Sequence, residues 1–435
     1  MANKVIVSKD KLNAIGDAIR KVTENNDKYT LNEIAEMILK IGGKYEENIV
    51  DVSNRIYTVR LNLEDDNPET WGTWTDDAVG LEEINSSNLI NNVDLLMKYY
   101  PVALNENGEE IEKINPNNFT KNIINDKLVN DNYIMIKFPI LGYRIRWAIL
   151  NQVLEVSITD LPNQPDFHYI QYNDKDCESI YVGAYQGEIQ EGKLLSKRGA
   201  LPNTSKSVGT FRDAAHNIGE GFECFTISVL TYLQCCALVK YRGRNLRKII
   251  GLGRYTGNRV SNGILTEDKG MFYGDINNST IPIKCFGIEN LWGNYYNILE
   301  GIYVYSNIYK VKEKNFTMTG DSSYNYRYEL NGDHSISAYG SGYFNGILKA
   351  PYGNNMLGFL PVKMTDSSII EDGIADHYFC GGVQMHRGWD GSPRQGGYNE
   401  KYGGLFNMET VKSDDWGESA DDFATGRLVY FKTKE

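Results

Sequence analysis

Clustered metal or redox ligands are missing from this chain. The six cysteines (Cys177, Cys224, Cys235, Cys236, Cys285, Cys380) include no C-x-x-C pair, so they read as small buried hydrophobes of a reducing cytosol rather than as a metal site or disulfide framework. The five histidines (His168, His216, His334, His377, His386) include no pair at i, i+4 spacing. Positive charge is also short. A net charge of -12 argues against a nucleic-acid partner, because such binders need a basic face to displace counterions from phosphate. Residues 1–11 hold one VIV run and then charges, so a secretory signal is not expected. Long apolar runs are scarce too. The strongest, 224–239, has 16 uncharged residues between Glu223 and Lys240, short of the about 20 that cross a bilayer. No membrane insertion is expected, and no internal repeat or low-complexity tract occurs.

What is present is 30 tyrosines and 42 glycines in 435 residues. That composition suits a loop-rich β architecture with a contact surface, and the length fits two or three domains at about 150 residues each. The apolar run at 224–239 has Ile227, Val229, Leu230, Leu233, Cys236, Leu238 and Val239 on every helical face. A helix apolar all round is buried, so it is expected as the central core helix, with a shorter helix opening at Thr210.

Residues 1–44 read as a helical hairpin. Ser8 caps a helix with Leu12, Ile15, Ile19 and Val22 at helical spacing, and Thr30 to Glu33 forms a capping box before Ile34, Ile38 and Ile41, ended by Gly42-Gly43. Two such short amphipathic helices cannot bury their stripes on each other alone. They pack on symmetry mates, on a partner particle, or on the rest of the chain. Residues 45–165 alternate in strand fashion at 55–61, 133–138 and 142–147. Within them TWGTW at 70–74 is either an aromatic ligand platform or core, and 115–119 is a turn. Residues 166–435 continue with strands at 179–186, 303–311 and 426–431.

Few motifs carry chemistry. The run GLGRYTG at 251–257 has the wrong glycine spacing for a dinucleotide loop and no helix after it, so it is a structural turn. Asp166-Phe167-His168 and Asp376-His377 place a carboxylate beside an imidazole, but no nucleophile elbow accompanies them. Asp414, Asp415, Glu418, Asp421 and Asp422 lack the D-x-D-x-D-G order of a calcium loop and read as a solvated face. Gln164-Pro165-Asp166 coincides with a sugar-reading tripeptide of galactose-type lectins, without its downstream partner. The stretch 386–402 differs. His386, Arg387, Trp389, Asp390, Arg394, Tyr398, Asn399 and Tyr402 stand in glycine-rich, non-periodic sequence and are the residue types that dominate binding hot spots. With Trp416 they form the candidate ligand-binding set; no catalytic residue, metal or cofactor is expected.

The order of several motifs resembles a known family. LNAIGDAIR at 12–20 with KYTLNEI at 28–34 resembles the helical leader of tail and baseplate proteins of phages and prophages of Gram-positive bacteria, and NPNNFTK at 115–121 with IMIKFP at 134–139 is similar to their middle region. VGAY at 182–185, GTFR at 209–212, the core helix, Gly251-x-Gly253, GIENLWGN at 287–294 and TGRL at 425–428 follow the order of the C-type-lectin-like fold, shared by phage tropism determinants and formylglycine-generating oxidases. The sequence departs from the family at Arg247, where Gln is frequent, and at Glu300, where Asp is. The oxidase branch needs a pair of thiols, and Cys380 is the only cysteine after Cys285, so no enzyme is expected.

The resemblance implies an α+β fold: an attachment hairpin at 1–44, a β-rich neck at 45–165 and a C-type-lectin-like receptor-binding domain at 166–435. It implies a homotrimeric tail fibre or receptor-binding protein of a phage or phage-tail-like bacteriocin, assembled in the host cytoplasm. Its partners would be a bacterial surface receptor, glycan or protein, and other tail proteins through 1–44. The alternative is a structural baseplate component without receptor binding. A glycan depolymerase would need carboxylates paired about 5 to 9 Å apart, for which there is no motif.

Overall fold

A computed structural model describes residues 54–301 apart from 63–71, 80, 82–95, 130–131, 149–152, 244–245, 255–257 and 268, together with 359, 404–406, 424–434 and the backbone of the strands between 302 and 412. The chain divides into two compact units, 1–51 and 52–435. The helical hairpin expected at 1–44 lies outside the described residues.

The α+β expectation is corrected. The described residues form 25 strands and three helices, Val208–His216, Ile227–Tyr241 and Leu246–Ile249, and the strands pair almost entirely antiparallel. The described part of the chain is thus mostly antiparallel β-sheet rather than α+β. The physical reason is that one conspicuous helix dominated the apolar signal, whereas the short strands around it, several of them buried on both faces, carry too little alternation to be counted from sequence.

Two sheets make the body. The first, four-stranded, runs Gly72–Asp76, Ile56–Asn62, Val153–Thr159, Gly142–Ala148. Its period-two alternation sends Tyr57, Val59, Leu61, Leu154, Val156 and Ile158 into the core and leaves Arg60 and Glu155 opposite each other, ion-paired at 3.0 Å, on the other face. The second, eight-stranded, has Lys175–Gly183 between Leu428–Thr433 and Ile134–Pro139, followed by Tyr100–Leu104, Glu110–Asn115 and Asn118–Asn122. Residues on both sides of position 165 therefore share one sheet. No hydrogen-bonding boundary separates the stretches expected as neck and receptor-binding domain.

The helix Ile227–Tyr241 is buried along its whole length, as its all-round apolar pattern requires, and packs on Ile56–Asn62, Val153–Thr159 and Tyr296–Tyr305. The side chain of Thr226 caps it by accepting from the Val229 amide at 3.3 Å. Cys224, the first residue of the apolar run expected as helix, instead ends a strand, Phe222–Cys224, on Leu428–Thr433. At the far end Trp74 settles the ambiguity of the TWGTW run: its Nε1 donates to the Val239 carbonyl at 2.7 Å, and the Arg242 guanidinium lies 5.1 Å from its ring. It therefore satisfies one of the carbonyls orphaned at a helix end. Gly72 is needed beside it, because a Cβ there would stand 2.1 Å from the Arg242 carbonyl oxygen. Among the described residues, no helix is long and apolar enough to cross a membrane.

Candidate functional site

Three of the motifs that carry the resemblance, VGAY, GIENLWGN and TGRL, meet at one guanidinium. Arg427 is fully buried. Its Nη1 donates to the Gly183 carbonyl at 2.8 Å, Nη2 to the carbonyls of Glu289 at 3.0 Å and Asn290 at 2.8 Å, and Nε to Asn297 Oδ1 at 3.1 Å. Burial pulls its pKa down to about 9, against the attraction of Glu289, so it stays charged at neutral pH. The Glu289 carboxylate accepts from the amides of Gly263 at 2.8 Å and Leu265 at 3.1 Å, while burial pushes its pKa up. Lys284 donates to the Leu265 carbonyl and lies 4.0 Å from the Phe119 ring; burial lowers its pKa to about 8.

Around this hub the GIENLWGN residues close the neighbouring turns. Asn294 Nδ2 donates to Gln186 Oε1 at 3.1 Å and its Oδ1 accepts from the Val260 amide at 3.0 Å, while Gln186 Nε2 donates to the Tyr295 carbonyl at 2.8 Å. Trp292 Nε1 donates to the Gly251 carbonyl at 3.1 Å. Gly253, at φ +79°, lies against that indole, where a Cβ would stand 2.8 Å from Cδ1; residues 255–257 of the turn expected at 251–257 lie outside the described residues. The network is sealed from solvent, and its chemistry is that of a rigid scaffold. Sequence reasoning missed Arg427 as its centre, since the only signal was its place in TGRL.

From this scaffold the later strands depart. Tyr296–Tyr305 pairs antiparallel with Gly382–His386, Asn297 opposite His386, and parallel with Ala424–Thr425. Gly382–His386 in turn pairs with Met408–Lys412, His386 opposite Met408. Between them Leu405 and Phe406 are buried in the main core, Phe406 edge-on to Phe359 at 5.8 Å, and Gln234 of the core helix donates to the Leu405 carbonyl at 3.0 Å. The chain from 387 to 403 is therefore held at both ends. Of the candidate set, His386 has its backbone on this strand. Arg387, Trp389, Asp390, Arg394, Tyr398, Asn399, Tyr402 and Trp416 lie outside the described residues, as do the side chain of His386, Asp414, Asp415, Glu418, Asp421, Asp422 and Cys380.

The remaining chemistry is structural. All five described cysteines are buried. Asp166 of the QPD tripeptide pairs with Arg146 at 3.0 Å. Among the described residues no group of three His, Cys, Asp or Glu side chains could hold a metal ion. The helix Val208–His216, capped by Ser207, is tied down by two charge pairs: Arg212 to Glu300 at 2.6 Å, both buried, and His216 to Glu223 at 2.7 Å, with Tyr172 donating to the same carboxylate at 3.3 Å. Glu300, a departure from the family pattern, thus has a partner.

Two histidines give the protein opposite pH dependences. The hydrogen bond to Glu223 raises the pKa of His216, so its stabilisation is complete below the ordinary value near 6.5 and is lost as pH rises through the raised one. Burial lowers that of His168 to about 4; the unfolded state then binds the extra proton first, and stability is lost as pH falls from about 6.5 toward 4. His216→Gln should flatten the neutral-to-alkaline limb of a plot of Tm against pH, and His168→Gln the acid limb. Profiles that superimpose on the wild type would refute these assignments.

Compared with known proteins, the sequence matches no family model and no curated protein.

Proposed function

We propose that this protein is the receptor-binding protein of a phage tail or phage-tail-like particle, attaching it to a bacterial surface through the stretch 386–402. The observation that carries this reading is the anchoring of both ends of that stretch, by the His386 strand pairing and by Leu405 and Phe406 in the core. A chain segment longer than about 12 to 15 residues without secondary structure of its own is usually either functional or a linker, and this one concentrates Trp, Tyr, Arg and His, the residue types of binding hot spots. A rigid scaffold under such a segment lowers the ordering cost of binding. The motif order shared with tail proteins adds the particle context, in which 1–44 attaches to the tail and several copies supply avidity, so that each site can be weak.

The test is retention of the purified protein on intact Gram-positive cells and on their isolated wall polymers. Specific, saturable retention on a subset of strains is the expected result. Uniform absence of binding, with the protein still incorporated into tail particles, would leave a purely structural baseplate role.

A further inference from the structure

The strand beside the start of the candidate stretch is paired in two registers at once. On Tyr296–Tyr305, Asn297 stands opposite His386 and Ile298 opposite Met385, yet Tyr303 stands opposite Val383. Five steps on this strand are spanned by two on Gly382–His386, so three residues leave the ladder between them. Gly301, at φ +84°, allows the bend that this requires. The two ends are pinned separately. Asn297 Oδ1 accepts from Arg427 Nε at 3.1 Å, and residues 302–305 pair with Ile308–Val311.

What holds the excursion between these ends is Glu300. Its amide donates to the Phe225 carbonyl at 2.8 Å, and a parallel bridge joins it to Thr226. Its carboxylate accepts from Arg212 Nη2 at 2.6 Å, with both side chains buried. Arg212 belongs to the helix Val208–His216, whose far end is tied down by His216 and Glu223. The competing arrangement is a continuous ladder. Carried on from Ile298 opposite Met385, it would put Glu300 opposite Val383; carried back from Tyr303 opposite Val383, it would put Glu300 opposite His386. Either one draws Glu300 out of the excursion and away from Arg212, leaving two buried charges unpaired, which is strongly unfavourable. An apolar residue at 300 would meet no such penalty and would not discriminate between the ladders. Buried ion pairs add little net stability over apolar residues of similar size, and fixing register is their best-attested use.

We propose that Arg212 and Glu300 are positioning residues for the stretch 386–402, their ion pair selecting the double register in which its first strand is held. Without the excursion Gly382–His386 slides by three residues, about 10 Å, against either the Arg427 hub or the strand Ile308–Val311. An odd slip also turns the side chains of the displaced segment to the other face. The consequence for binding rests on the receptor reading, whereas the register role does not.

The test reads register by disulfide trapping in the full chain, with the bridges located by peptide mass mapping. Ile298→Cys with Met385→Cys reports one register, and Tyr303→Cys with Val383→Cys the other. Directly opposed residues have Cα atoms about 4.5 to 5.5 Å apart, within disulfide reach, and a three-residue slip carries them past the limit of about 7 Å. Both bridges are expected to form when Arg212 and Glu300 are intact. With Arg212→Met and Glu300→Leu added, the protein should still unfold cooperatively in urea, but at most one bridge should form and retention on intact Gram-positive cells should be lost. Failure of either bridge in the first case, or persistence of both in the second, would overturn the proposal. So would an Arg212→Met, Glu300→Leu protein that does not fold, since the pair would then hold the fold rather than choose its register. A lost bridge with unchanged retention would keep the register role and remove the receptor site from 386–402. If the wild type itself is not retained, the receptor reading fails and the two bridges alone decide the register role.

Discussion

Arg427→Ala is expected to destabilise the native protein by about 3 to 5 kcal/mol. The substitution removes four hydrogen bonds and strands three backbone carbonyls and the Asn297 side-chain oxygen in a site without water access. It also removes one of the two positive charges that act on the buried Glu289 carboxylate, leaving Lys284 as the other. Breaking a buried charged network from one side costs about 3 to 5 kcal/mol, against a total stability of about 5 to 15 kcal/mol for a typical domain. Arg427→Lys should recover little, because an ammonium cannot span acceptors on three segments as the planar fork does. Urea denaturation and soluble yield read the effect. A cooperative transition within about 1 kcal/mol of wild type would show that the strands hold without the hub, and the scaffold argument would fail.

Trp389→Ala combined with Tyr398→Ala abolishes adsorption to cells while Tm moves by no more than a few degrees. Truncating a hot-spot aromatic costs about 2 kcal/mol or more, and in a multivalent particle that loss is repeated at each copy, so weakening at one site compounds into loss of attachment. The stability half of the prediction follows from the core: the anchors at this end of the chain are Leu405 and Phe406, and neither is changed. Adsorption that persists would move the site elsewhere. A collapsed melting temperature would make Trp389 and Tyr398 core residues.

The candidate stretch is legible from composition alone, because hot-spot residue types in glycine-rich, non-periodic sequence need no knowledge of neighbours to be noticed. Its anchoring is not. Leu405 and Phe406 sit in sequence like any two apolar residues, and only packing against the core helix and Phe359 identifies them as the fixed end. Cross-strand register, such as Tyr100 opposite Lys137 and Tyr181 opposite Tyr430, was likewise invisible, because it has no signature within a single strand.

Local chemistry determined the rest of what the sequence could say. The core helix announced itself because 16 uncharged residues with apolar side chains on every face have no stable place but an interior. The turn at 251–253 followed from glycine chemistry acting over a few residues, whereas the cap at Ser207 is seen only in the structure. Tertiary structure alone decided the fold class and the partition of the chain. Pairing of Lys175–Gly183 with Ile134–Pro139 on one side and Leu428–Thr433 on the other joins segments up to about 300 residues apart in one sheet. Such long-range pairing is selected by the burial of whole faces and the satisfaction of buried groups such as Arg427, properties that exist only once the strands have met.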